Sequence, residues 1–551
     1  MAALLAGRSA AETAAPPELS LLRPTRYELD LRLDFKEERI SGSARITLKN
    51  TGGSPVREAS FLLYRLMTVT EVRDAKGEAI PFRQAIVAFE DEPKRQTNHV
   101  LVPLAPPLQP GKSAIVRIDY GGYLAGYVET GSLYIKDRVD EAFTIIREDA
   151  DAYPTVRVPS FAANRAAGLP EFDYIARITV PESHVVANGG ALVERTVRHG
   201  RATYVYRNIK PAWRMDFAIA RFGTLESPGL RVFHLPEDRA GALRVLEAAK
   251  ASMALYKEWF GSLRDAPAFT VIEIPDGWGS QADVTSILQA AAAFRDPARL
   301  HEVYHEISHL WNVSSLDRPY CRWNEGLASF LEDLTQERLD GTPLLDQRAE
   351  KTAQRLIGRS SEEPRLKSVP MIDYGKQGMT GYSYGAGMLM FYVLYRLVGQ
   401  DSFNAVVGSH YQKYQATGAT TGQFVSNAQT AAARNLEAFF NDWLYSTRWY
   451  EILASGVKVQ DLADRYRKTA TRPQRERGGI TPQHGTLSSH LLWVSRIGSD
   501  SPSTGATKIS PYGCDSPFES GASSFSQARL DANTIHFPSG EKRACTLGEY
   551  F

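Results

Sequence analysis

The sequence predicts an α+β chain, with a β-saddle or β-sandwich domain in front and a mainly helical domain behind it. Two observations carry this reading. Between Arg26 and Leu225, apolar and polar residues alternate with a period near two, in short runs broken by turn residues. Beyond Pro228 the periodicity becomes that of amphipathic helices. The chain has 551 residues, 43% hydrophobic and 23% charged. That is ordinary globular composition and enough length for two or three domains.

Taken in order, residues 1–24 read as a disordered Ala/Pro-rich leader. The apolar run in MAALLAGRSAAETAAPPELS is short, and Arg8 follows it. A secretory signal has the basic residue first and a longer apolar stretch. The chain reads as soluble with its compartment open; a remnant export signal is the alternative, and it would make the protein exported or part of the cell envelope. Residues 25–225 form the β-rich part. RYELDLRLDF, SGSARITLKN, SAIVRIDYGG, FDYIARITV and ATYVYRNI each alternate, and NTGG, PGK and NGG separate runs as turns.

Residues 226–450 form the helical part, with a small sheet at its front. LRVLEAAKASMALYKEWFG has apolar residues at helical spacing and stops at Gly261, and FTVIEIP reads as one strand. ARLHEVYHEISHLWN, NEGLASFLEDLTQERLDG, YGAGMLMFYVLYRLVGQ and LEAFFNDWLYS follow as helices. Residues 451–469 read as a short helical extension. Residues 470–551, with GSDSPSTGATKISPYGCDSPFESGASSFSQ, lack periodicity and read as a poorly structured Ser/Gly/Pro-rich tail, or as the product of a shifted reading frame.

Charge and cysteine content bound the function. A formal net charge of +1 with no basic stripe speaks against a nucleic-acid partner. Three cysteines do not make a disulfide framework. No segment reaches the ~18 uncharged apolar residues of a membrane span. Oligomeric state is not read from any of this.

The chemistry lies in HEVYHEISHLWN, residues 301–312, where His-Glu-x-x-His occurs twice in overlap. Residues four apart share a helix face, so two imidazoles spaced this way converge on one point, as a zinc ion requires. A Glu directly after the first His sits beside the ion, where it takes a proton from water. The plain alternative is a solvated helix face rich in His and Glu. Three further features favour a site: Glu325 at the start of RWNEGLASFLEDL as a third ligand, Trp311 two residues after His309, and Tyr384 at the opening of another apolar helix.

HEISHLW followed by WNEGLASFLE resembles the signature of the gluzincin zinc aminopeptidases. SGSARITLKN and the late strand FAIARFGTLES resemble the saddle domain of that family, and YGAGMLMFYVLYRLVGQDSF resembles its Tyr-Glu-Lys-Gly helix, with Tyr384 and Gly387 at the two ends of the motif. The similarity runs from about residue 25 to 450. It implies a thermolysin-like catalytic domain, one Zn2+ per chain held by His305, His309 and Glu325, Glu306 as general base and Tyr384 as oxyanion stabiliser. It selects the second of the overlapping motifs, because Leu-Trp belongs after the second ligand. His301 then reads as a first-turn helix residue near the surface. Fifteen residues lie between His309 and Glu325, about three fewer than the family usually has, whereas His305 as second ligand gives nineteen.

The departure concerns substrate. Where the family carries a Gly-x-Met-Glu-Asn loop that holds the substrate amine, this chain has PDGWGSQADVTSILQ, with glycines but no Glu. Gly279, Ser280 and Gln281 are the expected substrate-binding residues. A neutral Gln accepts a hydrogen bond from an ammonium but not the charge-assisted one a carboxylate gives. Glu148 and Asp149 of REDADAY are candidates to replace that charge, against the plainer reading of a solvated loop. The expected function is zinc-dependent peptide hydrolysis, as an aminopeptidase with atypical N-terminus recognition. The alternatives are a binding or scaffold protein on a peptidase fold and a zinc hydrolase of a non-peptide substrate such as an epoxide.

Overall fold

The computed structural model describes residues 21–264 and 268–469, and the expected leader and tail lie almost wholly outside them. The front part is built on a seven-stranded sheet. In spatial order its strands are Ala191–Arg198, Arg201–Arg207, Asp173–Pro181, Leu22–Asp34, Arg39–Asn50, Ser113–Tyr123 and Met67–Arg73. The alternation seen in the sequence sets the faces. Along Leu22–Asp34, Tyr27, Leu29, Leu31 and Leu33 are buried, while Asp30 and Arg32 face out. The pairing of Leu22–Asp34 with Asp173–Pro181 is parallel, although the strands are far apart in the chain. A second sheet, Val56–Tyr64, Gln96–Leu108 and Arg83–Ala88, packs with the first around one apolar cluster that runs from Leu22 to Ile219.

The helical part has its own cluster, from Leu230 to Tyr466. Its sheet is larger than FTVIEIP alone suggests. Five strands pair in the order Gly223–Ser227, Leu230–His234, Phe269–Ile274, Ser286–Ala290 and Gln281–Ala282. FAIARFGTLES is therefore two strands, Phe217–Ala220 in a small front sheet and Gly223–Ser227 in this one, and the latter straddles the expected boundary at 225. Against this sheet lies the helix Arg239–Phe260, which stops at Gly261 with φ 88°. The helices Trp323–Asp340 and Ser383–Val398 cross at Gly326 and Gly387. A Cβ on Gly326 would lie 2.3 Å from the Gly387 Cα. Only glycine permits this approach, and it brings the starts of both helices together at the cleft.

Candidate metal centre

The helix His301–Ser308 carries the overlapping motifs, and all eight of its residues are buried. Val303 and Ile307, both 0% exposed, anchor it in the helical core. The chain then tightens through His309–Trp311. Trp311 packs edge-on against Tyr256 and donates its indole N–H to the Gly261 carbonyl at 2.9 Å. That contact fixes the turn just past His309.

Four residues apart, the rings of His305 and His309 sit 5.0 Å from centre to centre. The start of Trp323–Asp340 delivers Glu325 to them: its Oε2 lies 3.6 Å from His305 Nε2 and 3.4 Å from His309 Nε2. Among the described residues this is the cluster able to hold a metal ion, with all its ligand atoms within 4.8 Å of one another. Two imidazole nitrogens and one carboxylate oxygen converging on one point is a zinc-type donor set, and the residues fit the ion. Burial works against ionisation of Glu325, but Arg322 and the two histidines outweigh it and hold the carboxyl well below its usual range. Glu306, on the same helix, lines the cleft without joining the donor set.

The outer partners orient the ligands. Glu332 lies two turns after Glu325 on the same helix, and its Oε2 meets His305 Nδ1 at 3.0 Å. With Nδ1–H so engaged, Nε2 is left to face the metal. The other carboxylate oxygen of Glu332 meets His301 Nδ1. His301 is thus a first-turn residue as expected, but not a surface one: it is 8% exposed and tied to the partner of a ligand. The Asn312 amide meets His309 Nδ1 at 2.6 Å. Tyr384 opens Ser383–Val398, and its ring lies parallel to His305 at 6.1 Å. The nearby Ser383 Oγ donates to the Cys321 carbonyl at 2.6 Å, tying this helix to the chain just before Glu325.

His305, Glu306, His309, Glu325 and Tyr384 open on a cleft of about 1240 Å³ whose opposite wall comes from the sheets. Glu148 and Asp149 belong to that wall and are not a solvated loop. Asp149 is 5% exposed and accepts from Arg214 at 2.6 Å, and Glu148 pairs with Arg157. The buried Arg147 spans from Asp137, at 2.8 Å, to the Trp278 carbonyl, at 3.2 Å, and so holds the loop before the strand Gln281–Ala282.

The expected substrate residues divide on that loop. Gly279 packs beside the Tyr134 ring and does not line the cleft. Ser280 lines it, but its Oγ accepts from Ala290 N–H at 3.0 Å, which holds the loop to the sheet. Gln281 lines the cleft and hydrogen-bonds to Asp149, leaving a buried Oε1 without a partner. Sequence reasoning missed Asp283, two residues on. Asp283 lines the cleft, has a buried Oδ1 without a partner, and is pushed up to about 7 by burial and by the neighbouring Asp216. The signal was present in the quoted loop as an Asp where only a Glu was sought.

The fold is similar to that of solved M1 zinc metallopeptidases, and the three convergent donors form a zinc-type ligand set within it. Solved structures of such an enzyme from Deinococcus radiodurans align with this chain at 18% identity and a TM-score of 0.55, covering 78% of this chain and 94% of theirs. One of those structures is a point mutant bound to a Tyr-Ser-Ala substrate. Among curated proteins, Aminopeptidase M1-B of Oryza sativa subsp. japonica is 21% identical over 481 residues, which is 80% of this chain. The chain spans about half of that relative, 51% of its length. No family profile matches the chain. No helix among the described residues is long and apolar enough to cross a membrane.

Proposed function

We propose that this chain is a zinc metallopeptidase that removes residues from the free amino end of peptides. The observation that carries the reading is the convergence of His305 Nε2, His309 Nε2 and Glu325 Oε2 at the floor of a cleft that also exposes Glu306 and Tyr384. These three ligands would hold one zinc ion per chain. When bound, zinc supplies a Lewis acid that lowers the pKa of a coordinated water to about 7. Glu306 accepts the proton as the water oxygen adds to the peptide carbonyl, a role typically contributing ~10²–10⁴ in rate. Tyr384 donates its phenolic O–H to the oxygen that gains charge. Glu306 then returns the proton to the departing nitrogen as the C–N bond breaks, and the remaining water proton passes from the new carboxylic acid to the amine, giving a carboxylate and an ammonium.

The same proposal assigns substrate recognition to the sheet wall. Asp283 and the Gln281 carbonyl oxygen are acceptors that a substrate ammonium would satisfy. The sheet-rich part through about residue 225, the helical part 226–450 and the extension 451–469 are taken as its domains, with both main parts contributing to the cleft.

The test is a panel of aminoacyl amides, free peptides and N-blocked peptides, each with and without a chelator. Chelator-sensitive cleavage of the free peptides is expected, with blocked peptides spared. Cleavage that survives metal removal would sink the proposal, and cleavage of blocked peptides alone would redirect it to an endopeptidase. Asp283→Asn should raise KM for free peptides by about 10–100-fold, the worth of one charge-assisted hydrogen bond of ~1.5–3 kcal/mol. Asp283 is charged only above its pKa of about 7. The KM for free peptides should therefore rise as pH falls through 7, and that dependence should vanish in Asp283→Asn.

A further inference from the structure

Just before Glu325, the chain makes a left-handed turn at a non-glycine residue. Arg322 sits in the left-handed region, with φ 59° and ψ 37°, immediately ahead of the helix Trp323–Asp340. Such a conformation is unfavourable for a side chain of this size, and it persists where surrounding contacts over-determine it. Here the contact is with the metal ligand itself: the guanidinium bonds Glu325 Oε1, the oxygen that does not face the histidines.

We propose that Arg322 is a positioning residue that restricts Glu325 to a single ligating oxygen and places a fixed positive charge on the cleft wall next to the metal centre. This rests on the reading of the chain as a zinc hydrolase with Glu325 as ligand. The two oxygens of Glu325 have separate occupations. Oε2 lies 3.4–3.6 Å from the imidazole nitrogens, and Oε1 is covered by Arg322. Without that cover, both oxygens would be available to an ion at the site. An arginine fits this task because it is always charged and its planar group matches a carboxylate edge.

Arg322 and Tyr384 both line the cleft and interact electrostatically, so the guanidinium also contributes to the field where substrate charge develops.

This assignment separates metal retention from turnover. A residue that merely props up the site would lose both when altered. An arginine facing a bound dication repels it, so its loss should leave zinc affinity unchanged or increase it while turnover falls. The experiment measures the zinc dissociation constant by chelator competition, together with kcat on the best substrate of the panel, in wild type, Arg322→Met and Arg322→Lys. Thermal melting checks folding. Arg322→Met should lose about 10–100-fold in kcat with zinc affinity equal or tighter, and Arg322→Lys should recover part of the loss. A kcat in Arg322→Met close to wild type overturns the inference, and so does a zinc affinity that falls in parallel with kcat. If Arg322→Met does not fold, Arg322→Lys decides alone: full retention of zinc with reduced kcat supports the role, and unchanged kcat overturns it. A wild type that binds no zinc or turns nothing over defeats the proposed function instead, which keeps the two failures apart.

Discussion

The two walls of the cleft are built by opposite means. The helical wall takes its ligands and base from two short stretches, 301–312 and 322–332, in each of which helix geometry sets the important side chains on one face, and Tyr384 joins them from Ser383–Val398. The sheet wall takes its residues from Arg95, Arg147 to Arg157, Arg214 to Asp216 and Gln281 to Asp283, four places far apart in sequence. There, buried charges hold one another: Arg214 reaches Asp149 at 2.6 Å and Asp216 at 2.9 Å, and the Arg95 guanidinium donates to the Asp149 carbonyl at 2.6 Å. The first wall is organised around an ion and the second around its own ion pairs. Changes on the first should therefore cost activity, and changes to the buried ion pairs of the second should cost the fold.

The largest effect expected is on turnover. Glu306→Gln keeps the volume of the side chain and removes the base. Turnover should fall by about 10²–10⁴, with zinc content and melting temperature unchanged. Activity within a few-fold of wild type would mean the base lies elsewhere, and the motif would have to be read again.

Next comes the overlap. His309→Ala removes one of three ligands, and zinc affinity should collapse. His301→Ala is a finer probe. A reading that leaves His301 at the surface expects no effect. Because His301 shares Glu332 with His305, a loss of up to about tenfold in zinc affinity is now expected, the lower end for an outer partner. Metal content of the two variants, measured side by side, decides it. Equal losses would break the assignment of the ligand set.

On the sheet wall, Arg214→Met leaves Asp149 and Asp216 buried without their main counter-charge. Removing one partner of a buried pair typically destabilises by about 3–5 kcal/mol. Urea unfolding should show this loss while zinc affinity of the folded fraction stays intact. Stability that holds within about 1 kcal/mol would mean the wall stands on apolar packing, and the contrast between the two walls would lose its basis.

The same contrast explains what could be read from sequence. His305, His309 and Glu306 were legible because a four-residue spacing encodes one helix face. Glu332 could have been found in the same way, since it follows Glu325 by seven residues, two helical turns. The strands were legible from their alternation, but not their assembly: nothing local in Leu22–Asp34 announces a parallel partner at Asp173–Pro181. Glu148 and Asp149 read as a solvated loop because density of charge normally means exposure. The guanidiniums that make their burial tolerable come partly from outside that loop, Arg214 being 65 residues on from Asp149. The Arg322 turn was invisible for a different reason. A left-handed arginine has no sequence signature, since the residue type argues against the conformation it adopts.

The smallest effect expected lies behind the site, in the five-stranded sheet, and concerns pH. Glu273 is fully buried in Phe269–Ile274, and its Oε2 accepts the Leu235 N–H at 2.6 Å. Burial, and a hydrogen bond shared with Asp238, push its carboxyl up to about 9. In the folded chain it therefore keeps its proton across the neutral range, whereas in the unfolded chain it loses it near 4.5. The sign follows from linkage. The folded state binds the extra proton between these two values, so the stabilisation is complete below about 4.5 and is lost progressively as pH rises towards 9. Glu273→Gln imitates the protonated form: its carbonyl can accept from Leu235, and its amide can donate to Asp238. The variant should match wild type at pH 5 and melt higher than wild type at pH 8.5. Melting curves from pH 5 to 9 supply the check. A wild-type slope that survives unchanged in Glu273→Gln would place the alkaline loss on the charged sheet wall instead, where the Asp283 carboxyl, raised to about 7, is the next group to titrate.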